Sequence, residues 1–292
     1  MCESGCRLCG SKAELRSSHI IPRFAIQWLK DTTPTGYIRG HQVNRRLQDA
    51  RTVPLLCESC EQACSRNERI FAERVFRPYL YESCREFDYG EWLLRFAVSL
   101  AWRTVAAGPR LSDDHPLEQQ TALARAMRAW KRYVLNQSPN PGPYSHHMFL
   151  GNEVNFGDDP PPEGFYSYLL RSCDTTLIVG DRDLLSYTKL GPILFASYII
   201  PAKPVGWHGT KLSLTGRITQ KQTLANDGFT SFLARRRDEA MADRQISDRQ
   251  VERMRRDLLK NREQALSSDS YRAFLLEEMA ARERKRQGER DR

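Results

Sequence analysis

The sequence predicts an α+β fold: a compact cysteine-rich head, a middle region of two helices and a small sheet, and a helical tail. Three observations carry this prediction. Two Cys-x2-Cys pairs enclose short β-branched runs, apolar residues then recur at helical spacing, and further short apolar runs follow before a charged helical end. We predict domain boundaries at 1–82, 83–226 and 227–292.

The head contains the most specific motif of the chain. Cys6-x2-Cys9 and Cys57-x2-Cys60 are separated by 47 residues, and each pair has the spacing of a zinc knuckle. Four thiolates fill the coordination sphere of Zn²⁺, so this ion is expected to be structural. The alternative is four buried free cysteines placed by chance. The remaining cysteines show no such pairing.

Between the cysteine pairs, β-branched and apolar residues predict two strands. The first covers Ser17 to Ile21 and ends at Pro22, and the second, Val53 to Leu56, runs into the second cysteine pair. After that pair, 61–76 has helical spacing, with Phe71 and Val75 on one face. The predicted local order is strand, strand, knuckle, helix.

The middle and the tail follow two different periodicities. Residues 88–107 and 113–136 have helical spacing, and proline or glycine follows each run. Short apolar runs then predict three or four strands, at 147–150, 165–170, 175–179 and 193–200. After residue 228 the pattern is helical again, with breaks near Ser247 and Ser267.

Composition excludes several classes of protein. The 292 residues are 40% hydrophobic and 28% charged, with a mean hydropathy of −0.60, which is typical of a globular chain. The longest apolar runs are short or contain Arg95 and Arg103, so no membrane span is predicted. Because the N-terminus lacks the features of a signal peptide, we expect a cytoplasmic, reducing environment.

The positive charge lies at the two ends of the chain. Lys and Arg outnumber Asp and Glu by 13 to 8 over residues 1–80 and by 17 to 13 over 235–292, within a net charge of +9. Such an excess favours a polyanionic partner. Arginine dominates the head, and its guanidinium group binds phosphate oxygens in pairs.

Several short motifs together indicate a family. They are Cys6-x2-Cys9, Ser18-His19-Ile20-Ile21-Pro22, Arg46-Leu47-Gln48-Asp49, Leu55-Leu56-Cys57-x2-Cys60-Glu61 and Glu68-x2-Phe71. With these residues the head resembles an HNH endonuclease module of the ββα-metal type, built on a zinc-stabilised treble clef. The resemblance is to a bacterial subgroup; it covers about residues 6–80, and 87–105 continues it.

The resemblance implies a metal-dependent endonuclease that hydrolyses phosphodiester bonds in DNA, with His19 as the general base. Histidine suits this role because imidazole titrates near neutral pH. A catalytic Mg²⁺ or Mn²⁺ requires oxygen ligands, and Glu61 is expected to be the principal one. Asp49 and Glu68 are expected to be a second ligand or to orient His19 or an arginine; the alternative is surface ion pairing with nearby arginines.

The nucleic-acid backbone is expected to contact arginines of the head, namely Arg23, Arg45, Arg46 and Arg51. A solvated basic surface is the alternative. His146 and His147 form a further pair, but adjacent strand residues point to opposite faces and do not readily chelate one ion.

Three positions depart from the usual HNH signature. Thr52 stands at the position of the middle Asn, Glu61 at that of the last His, and Ser18 where an aspartate often precedes the first His. These differences leave two other functions open: a non-catalytic, zinc-stabilised module that binds nucleic acid or protein, and a toxin-like nuclease that acts on RNA. Residues 83–292 carry no catalytic motif, and we expect them to bind a partner, to oligomerise or to sense a signal, as in bacterial defence effectors.

Overall fold

The computed structural model describes residues 5–39, 46–108, 111–151, 160–181, 183–201, 204–224, 228–242 and 246–290. The strands are β1 Leu15–His19, β2 Ile38–Arg39, β3 Arg46–Leu47, β4 Thr52–Cys57, β5 Glu86–Tyr89, β6 His146–Leu150, β7 Cys173–Val179, β8 Leu184–Leu190, β9 Ile193–Tyr198 and β10 Gly216–Thr219. The helices are α1 Arg23–Asp31, α2 Glu58–Phe71, α3 Arg77–Tyr81, α4 Glu91–Ala107, α5 Leu117–Val134, α6 Phe165–Arg171, α7 Gly228–Ala242, α8 Asp248–Lys260, α9 Arg262–Leu266 and α10 Asp269–Arg290. A π-helical turn, Ala72–Phe76, joins α2 to α3. The protein is therefore of the predicted α+β class.

The chain forms two compact units. The first comprises residues 1–22, 51–150 and 174–224, and the second comprises 23–50, 151–173 and 225–292. The domain boundaries predicted at 82/83 and 226/227 divide the chain into consecutive segments, whereas each unit is built from several segments. These boundaries stay predictions.

In the first unit, strand order in the main sheet is β6-β9-β8-β7, and β6 and β8 each run antiparallel to β9. Every residue of β6, β8 and β9 is buried, so the sheet is covered on both faces. The strand predictions at 147–150 and 175–179 are confirmed, and the one at 193–200 is confirmed as far as Tyr198. The sequence does not predict β8, because the polar residues Ser186, Thr188 and Lys189 interrupt its apolar pattern although all three are buried.

Helix α4 is the centre of this unit. It packs against α2, α5 and β4, and also against the sheet strands β6, β8 and β9. From Leu93 to Thr104 every residue except Arg95 is buried, as expected for a helix that is apolar on all sides. The Phe96 ring stacks on Phe71 of α2, at 4.4 Å between centroids, and meets Phe195 of β9 edge-on at 5.6 Å.

The start of the first predicted middle helix is wrong. Asp88 and Tyr89 belong to strand β5, which pairs antiparallel with β10, and α4 begins only at Glu91, after Gly90. Arg217 of β10 binds Asp88 at 2.7 Å across this pair. The strand partner lies more than a hundred residues away along the chain, so local periodicity cannot reveal it.

The strand predicted at 165–170 is also wrong, because this segment is helix α6 in the second unit. Aromatic residues favoured a strand in the sequence, but tertiary contacts favour a helix. The Glu277 carboxylate of α10 accepts hydrogen bonds from the backbone N–H groups of Gly164, at 2.7 Å, and Tyr166, at 3.1 Å. These N–H groups at the start of a helix have no partner within it, so the carboxylate stabilises the first turn.

Apart from the short antiparallel pair of β2 and β3, the remainder of the second unit is helical, with breaks as predicted. Helix α7 ends before residue 243, α8 begins after Ser247, and α10 begins after Ser268. The guanidinium of Arg171 donates to the Leu29 carbonyl at 3.1 Å, which joins α6 to α1.

Two adjacent histidines of β6 are buried in the first unit. His146 Nδ1 lies 2.8 Å from Ser197 Oγ, and His147 Nδ1 lies 2.9 Å from Thr210 Oγ1. Burial lowers the pKa of His146 to about 3 and that of His147 to about 4. Their Nδ1 atoms therefore have different partners, and both rings are neutral at physiological pH.

These histidines predict how stability depends on pH. Their pKa is lower in the folded state than the value of about 6.5 in the unfolded chain, so their stabilisation is complete above pH 6.5 and is lost as pH falls toward 4. Each contributes up to about 1.4 kcal/mol per pH unit in this window. We expect His146→Asn, which cannot be protonated, to make the free energy of unfolding less dependent on pH between 6.5 and 4.

Urea denaturation at several pH values measures this dependence. The matched control is His208→Asn, since His208 is exposed. An unchanged pH dependence in His146→Asn would contradict the assignment.

Candidate functional site

The four cysteines of the head lie where three parts of the chain meet. Cys6 and Cys9 belong to a tight loop in which Gly10 N–H donates to the Cys6 carbonyl at 2.7 Å, and Gly10 has a φ of 84° that favours glycine. Cys57 is the last residue of β4, and Cys60 lies in the first turn of α2. The Arg7 N–H donates to the Leu55 carbonyl at 3.1 Å, so the loop is attached to β4.

The cysteine sulfur atoms form one cluster. All four Sγ atoms lie within 4.8 Å of one another, and Sγ of Cys9 is 3.7 Å from Sγ of Cys57. In a tetrahedral site with Zn–S bonds of about 2.3 Å, neighbouring sulfurs are about 3.8 Å apart. Cys6, Cys57 and Cys60 are buried, and none of the four forms a disulfide. The donor set fits a structural metal ion such as zinc.

Two serine hydroxyls lower the pKa of cysteine thiols in the cluster and so favour the thiolate form. The Ser59 hydroxyl, 3.3 Å from Sγ of Cys57, lowers the pKa of this thiol to about 6, and the Ser11 hydroxyl, at 3.0 Å, lowers the pKa of Cys9. Burial raises the pKa of Cys60. A metal ion requires thiolates, so the serines favour binding. Sequence reasoning missed them, although each follows a cysteine by two positions.

His19 is at the end of β1, opposite Thr52 of β4 in the antiparallel register. Its side chain is half-buried. On the same hairpin, Ser17 Oγ donates to Thr52 Oγ1 at 2.7 Å, and the buried Ser18 Oγ accepts from the Leu56 N–H at 3.2 Å. Thr52 and Ser18, which differ from the HNH signature, therefore hold the two strands in register.

The backbone at His19 is held by a buried arginine of α4. Nη1 of Arg103 donates to the His19 carbonyl at 3.0 Å, and Nη2 forms a 2.7 Å ion pair with Glu68 Oε1 of α2. The Arg103 side chain is 2% exposed and that of Glu68 is 18% exposed. Burial alone would lower the pKa of Arg103, but the nearby charges, Glu68 foremost, raise it, so the guanidinium stays charged.

Arg103 was not predicted as a site residue. The signal was an arginine within an apolar helical run, a placement that requires a partner when the helix is buried.

Glu61 is in the first turn of α2 and is half-buried. Its Oε1 atom is buried and has no hydrogen-bond partner within the described part of the chain. A buried carboxylate oxygen without a donor is costly, and a bound cation would satisfy it. Among the residues that the structure describes, however, the four cysteines form the only cluster of three or more potential metal ligands.

The other predicted site residues belong to both units. Asp49 is exposed, and its Oδ1 accepts from the Ala50 N–H at 2.8 Å. Arg46 pairs with Asp257 at 3.0 Å and stacks on the Tyr37 ring at 3.9 Å, all within the second unit. The remaining arginines are Arg23 and Arg51, which are exposed, and Arg45, which lies outside the described residues.

Comparisons of this chain with protein-family models, curated proteins and solved structures give no match. Within the described ranges, no helix combines the length and the apolar character needed to cross a membrane.

The cysteine cluster predicts one bound zinc ion per chain. We expect Cys57→Ser to abolish zinc binding and to lower the free energy of unfolding by at least about 3 kcal/mol, because the ion joins separate parts of the fold. Elemental analysis of the purified protein gives the zinc content, and urea denaturation gives the stability. Cys84→Ser, at a half-buried cysteine outside the cluster, is the control. Equal zinc content in both variants would show that the cluster is not the site.

The buried ion pair predicts an asymmetry between its partners. Glu68→Ala leaves the buried Arg103 charge without its partner and should cost about 3 kcal/mol of folding free energy. Arg103→Met should cost less, because the carboxylate that remains can reach water. Glu73→Ala, at an exposed acid close by, is the control for urea denaturation. The asymmetry is refuted if Arg103→Met unfolds at the same urea concentration as Glu68→Ala or at a lower one.

Proposed function

We propose that the chain is an HNH-like, metal-dependent endonuclease that hydrolyses phosphodiester bonds in DNA. The head would be a ββα-metal treble clef stabilised by zinc on Cys6, Cys9, Cys57 and Cys60. One observation carries the proposal: His19 ends a strand that pairs with β4, and β4 continues through the cysteine cluster into α2, whose first turn holds Glu61 with a buried, unpartnered oxygen.

In the proposed mechanism His19 is the general base. Its imidazole removes a proton from the water that attacks the phosphorus atom. Glu61 would hold the catalytic Mg²⁺ or Mn²⁺, since carboxylate oxygens suit both ions. When bound, this ion supplies Lewis-acid stabilisation of the negative charge that develops on the phosphate.

Glu68 and Arg103 act through the backbone in this proposal. Arg103 holds the carbonyl of His19 while Glu68 keeps the guanidinium charged and in place, so the pair fixes the end of β1 relative to α2. Glu68 is then an orienting residue. Asp49 stays a ligand predicted from the sequence alone.

The substrate is proposed from the resemblance and from charge. DNA is preferred because HNH modules usually cleave it, and Arg23 and Arg51 offer exposed guanidinium groups for phosphate contacts. RNA is the alternative substrate. Residues 83–292 would bind a partner or a second copy that activates the nuclease, as in a cytoplasmic defence effector.

The second candidate is a zinc-stabilised binding module without catalysis. It is favoured by the cluster of potential ligands, which within the described ranges contains four cysteines and no carboxylate. Glu68, moreover, is already neutralised by Arg103.

A plasmid-cleavage assay with Mg²⁺, Mn²⁺ or Ni²⁺ separates these functions. We expect the wild type to nick DNA, and both His19→Ala and Glu61→Gln to reduce the rate at least about a hundredfold, the lower range for a general base. His208→Ala, at an exposed histidine, should leave the rate unchanged. Retarded migration without cleavage would favour the binding module, cleavage of RNA alone would favour the ribonuclease, and undiminished cleavage by His19→Ala would exclude this base.

A further inference from the structure

The first unit contains a cavity of about 640 Å³ that the proposed nuclease shares only at Arg51, one of its proposed DNA contacts. It lies where β4, the end of α4 and the middle of α5 meet beside the first cysteine loop. Its volume is within the range of about 300–1,000 Å³ that is typical of small-molecule sites. A site for a ligand the size of a mononucleotide is therefore available in the fold.

The charge of this cavity is positive and unbalanced. Arg7 and Arg51 line it, and none of the described residues that line it is acidic. Arg7 Nη1 donates to the Ala106 carbonyl, and neither arginine has an ion-pair partner in the described part of the chain. Two guanidinium groups beside one concavity, without a counter-charge, favour an anion and in particular the paired oxygens of a phosphate.

The walls of the cavity suit a ligand that is partly apolar and partly polar. Val53 of β4 and Leu123 and Met127 of α5 supply apolar surface. In the last turn of α4, Val105 and Ala107 line the cavity, and helix geometry leaves their backbone carbonyls without intrahelical donors, whereas the Ala106 carbonyl already accepts from Arg7. A nucleobase matches both features, since its faces are apolar and its edge donates hydrogen bonds, whereas an alkyl chain would leave the carbonyls unpaired.

We propose that this cavity binds a nucleoside phosphate, with the phosphate on Arg7 and Arg51 and the base between β4 and α5. The site is separate from His19. Thr52 pairs with His19, and Val53, the next residue of the strand, points to the opposite face of the hairpin. The proposal therefore does not depend on the nuclease function.

Isothermal titration of the full chain with the four ribonucleoside 5′-monophosphates tests the site. We expect at least one of them to bind with 1:1 stoichiometry, and inorganic phosphate, the matching nucleoside and octanoate each to bind at least about tenfold more weakly. Binding of octanoate more tightly than every nucleotide would contradict the assigned ligand class, as would the absence of nucleotide binding.

Two variants test the location by independent means. Arg51→Gln removes a charge from an exposed residue, and Ala124→Trp fills the cavity from α5 without a change of charge. Each should weaken nucleotide binding at least about tenfold, Arg51→Gln because a charge-assisted hydrogen bond is lost and Ala124→Trp because the indole occupies the space of the ligand. Arg66→Gln, an exposed arginine of α2 outside the cavity, should bind as the wild type does. Circular dichroism verifies that each variant is folded, and wild-type affinity in both cavity variants would overturn the proposal.

Discussion

The cysteine cluster is the constraint on which the rest of the head depends. It joins the loop of Cys6 and Cys9 to the junction between β4 and α2, two parts of the chain that are 47 residues apart. Closing such a loop costs conformational entropy, and one metal ion bound by four thiolates would offset this cost. Once the junction is fixed, β1 can pair with β4; the register shifts once, between Arg16 and Ser17, and places His19 opposite Thr52.

A buried charge connects this hairpin to the core. Arg103 comes from α4, the helix around which the first unit is packed, and binds both the carbonyl of His19 and the carboxylate of Glu68. A charge buried to this degree is unfavourable without partners, so the arginine adds polar links between α4, β1 and α2 to their hydrophobic packing. In the proposed nuclease these links would position the general base His19. In a binding module they would stabilise the fold.

The sequence predicts best where a rule depends on local spacing. The two Cys-x2-Cys pairs predict the sulfur cluster, and the periodicity of the helices predicts most of α4 and α5. The sequence-based predictions are wrong where residues far away in the chain determine the local secondary structure. Phe165 and its neighbours form a helix because the Glu277 carboxylate binds the first turn. Ser186 lies in a buried strand, where a polar residue interrupts the apolar pattern that would have predicted it. For Arg103 the sequence signals only that an arginine in an apolar helical run needs a partner; the partners themselves lie on other elements.

X-ray absorption at the zinc K edge tests the central claim most directly, because it measures the ligands of the metal in solution. Four thiolates from Cys6, Cys9, Cys57 and Cys60 predict a single shell of about four sulfur atoms at about 2.3 Å. A shell that contains oxygen or nitrogen at about 2.0–2.1 Å would contradict this ligand set, and so would a metal-free protein with these cysteines in disulfides.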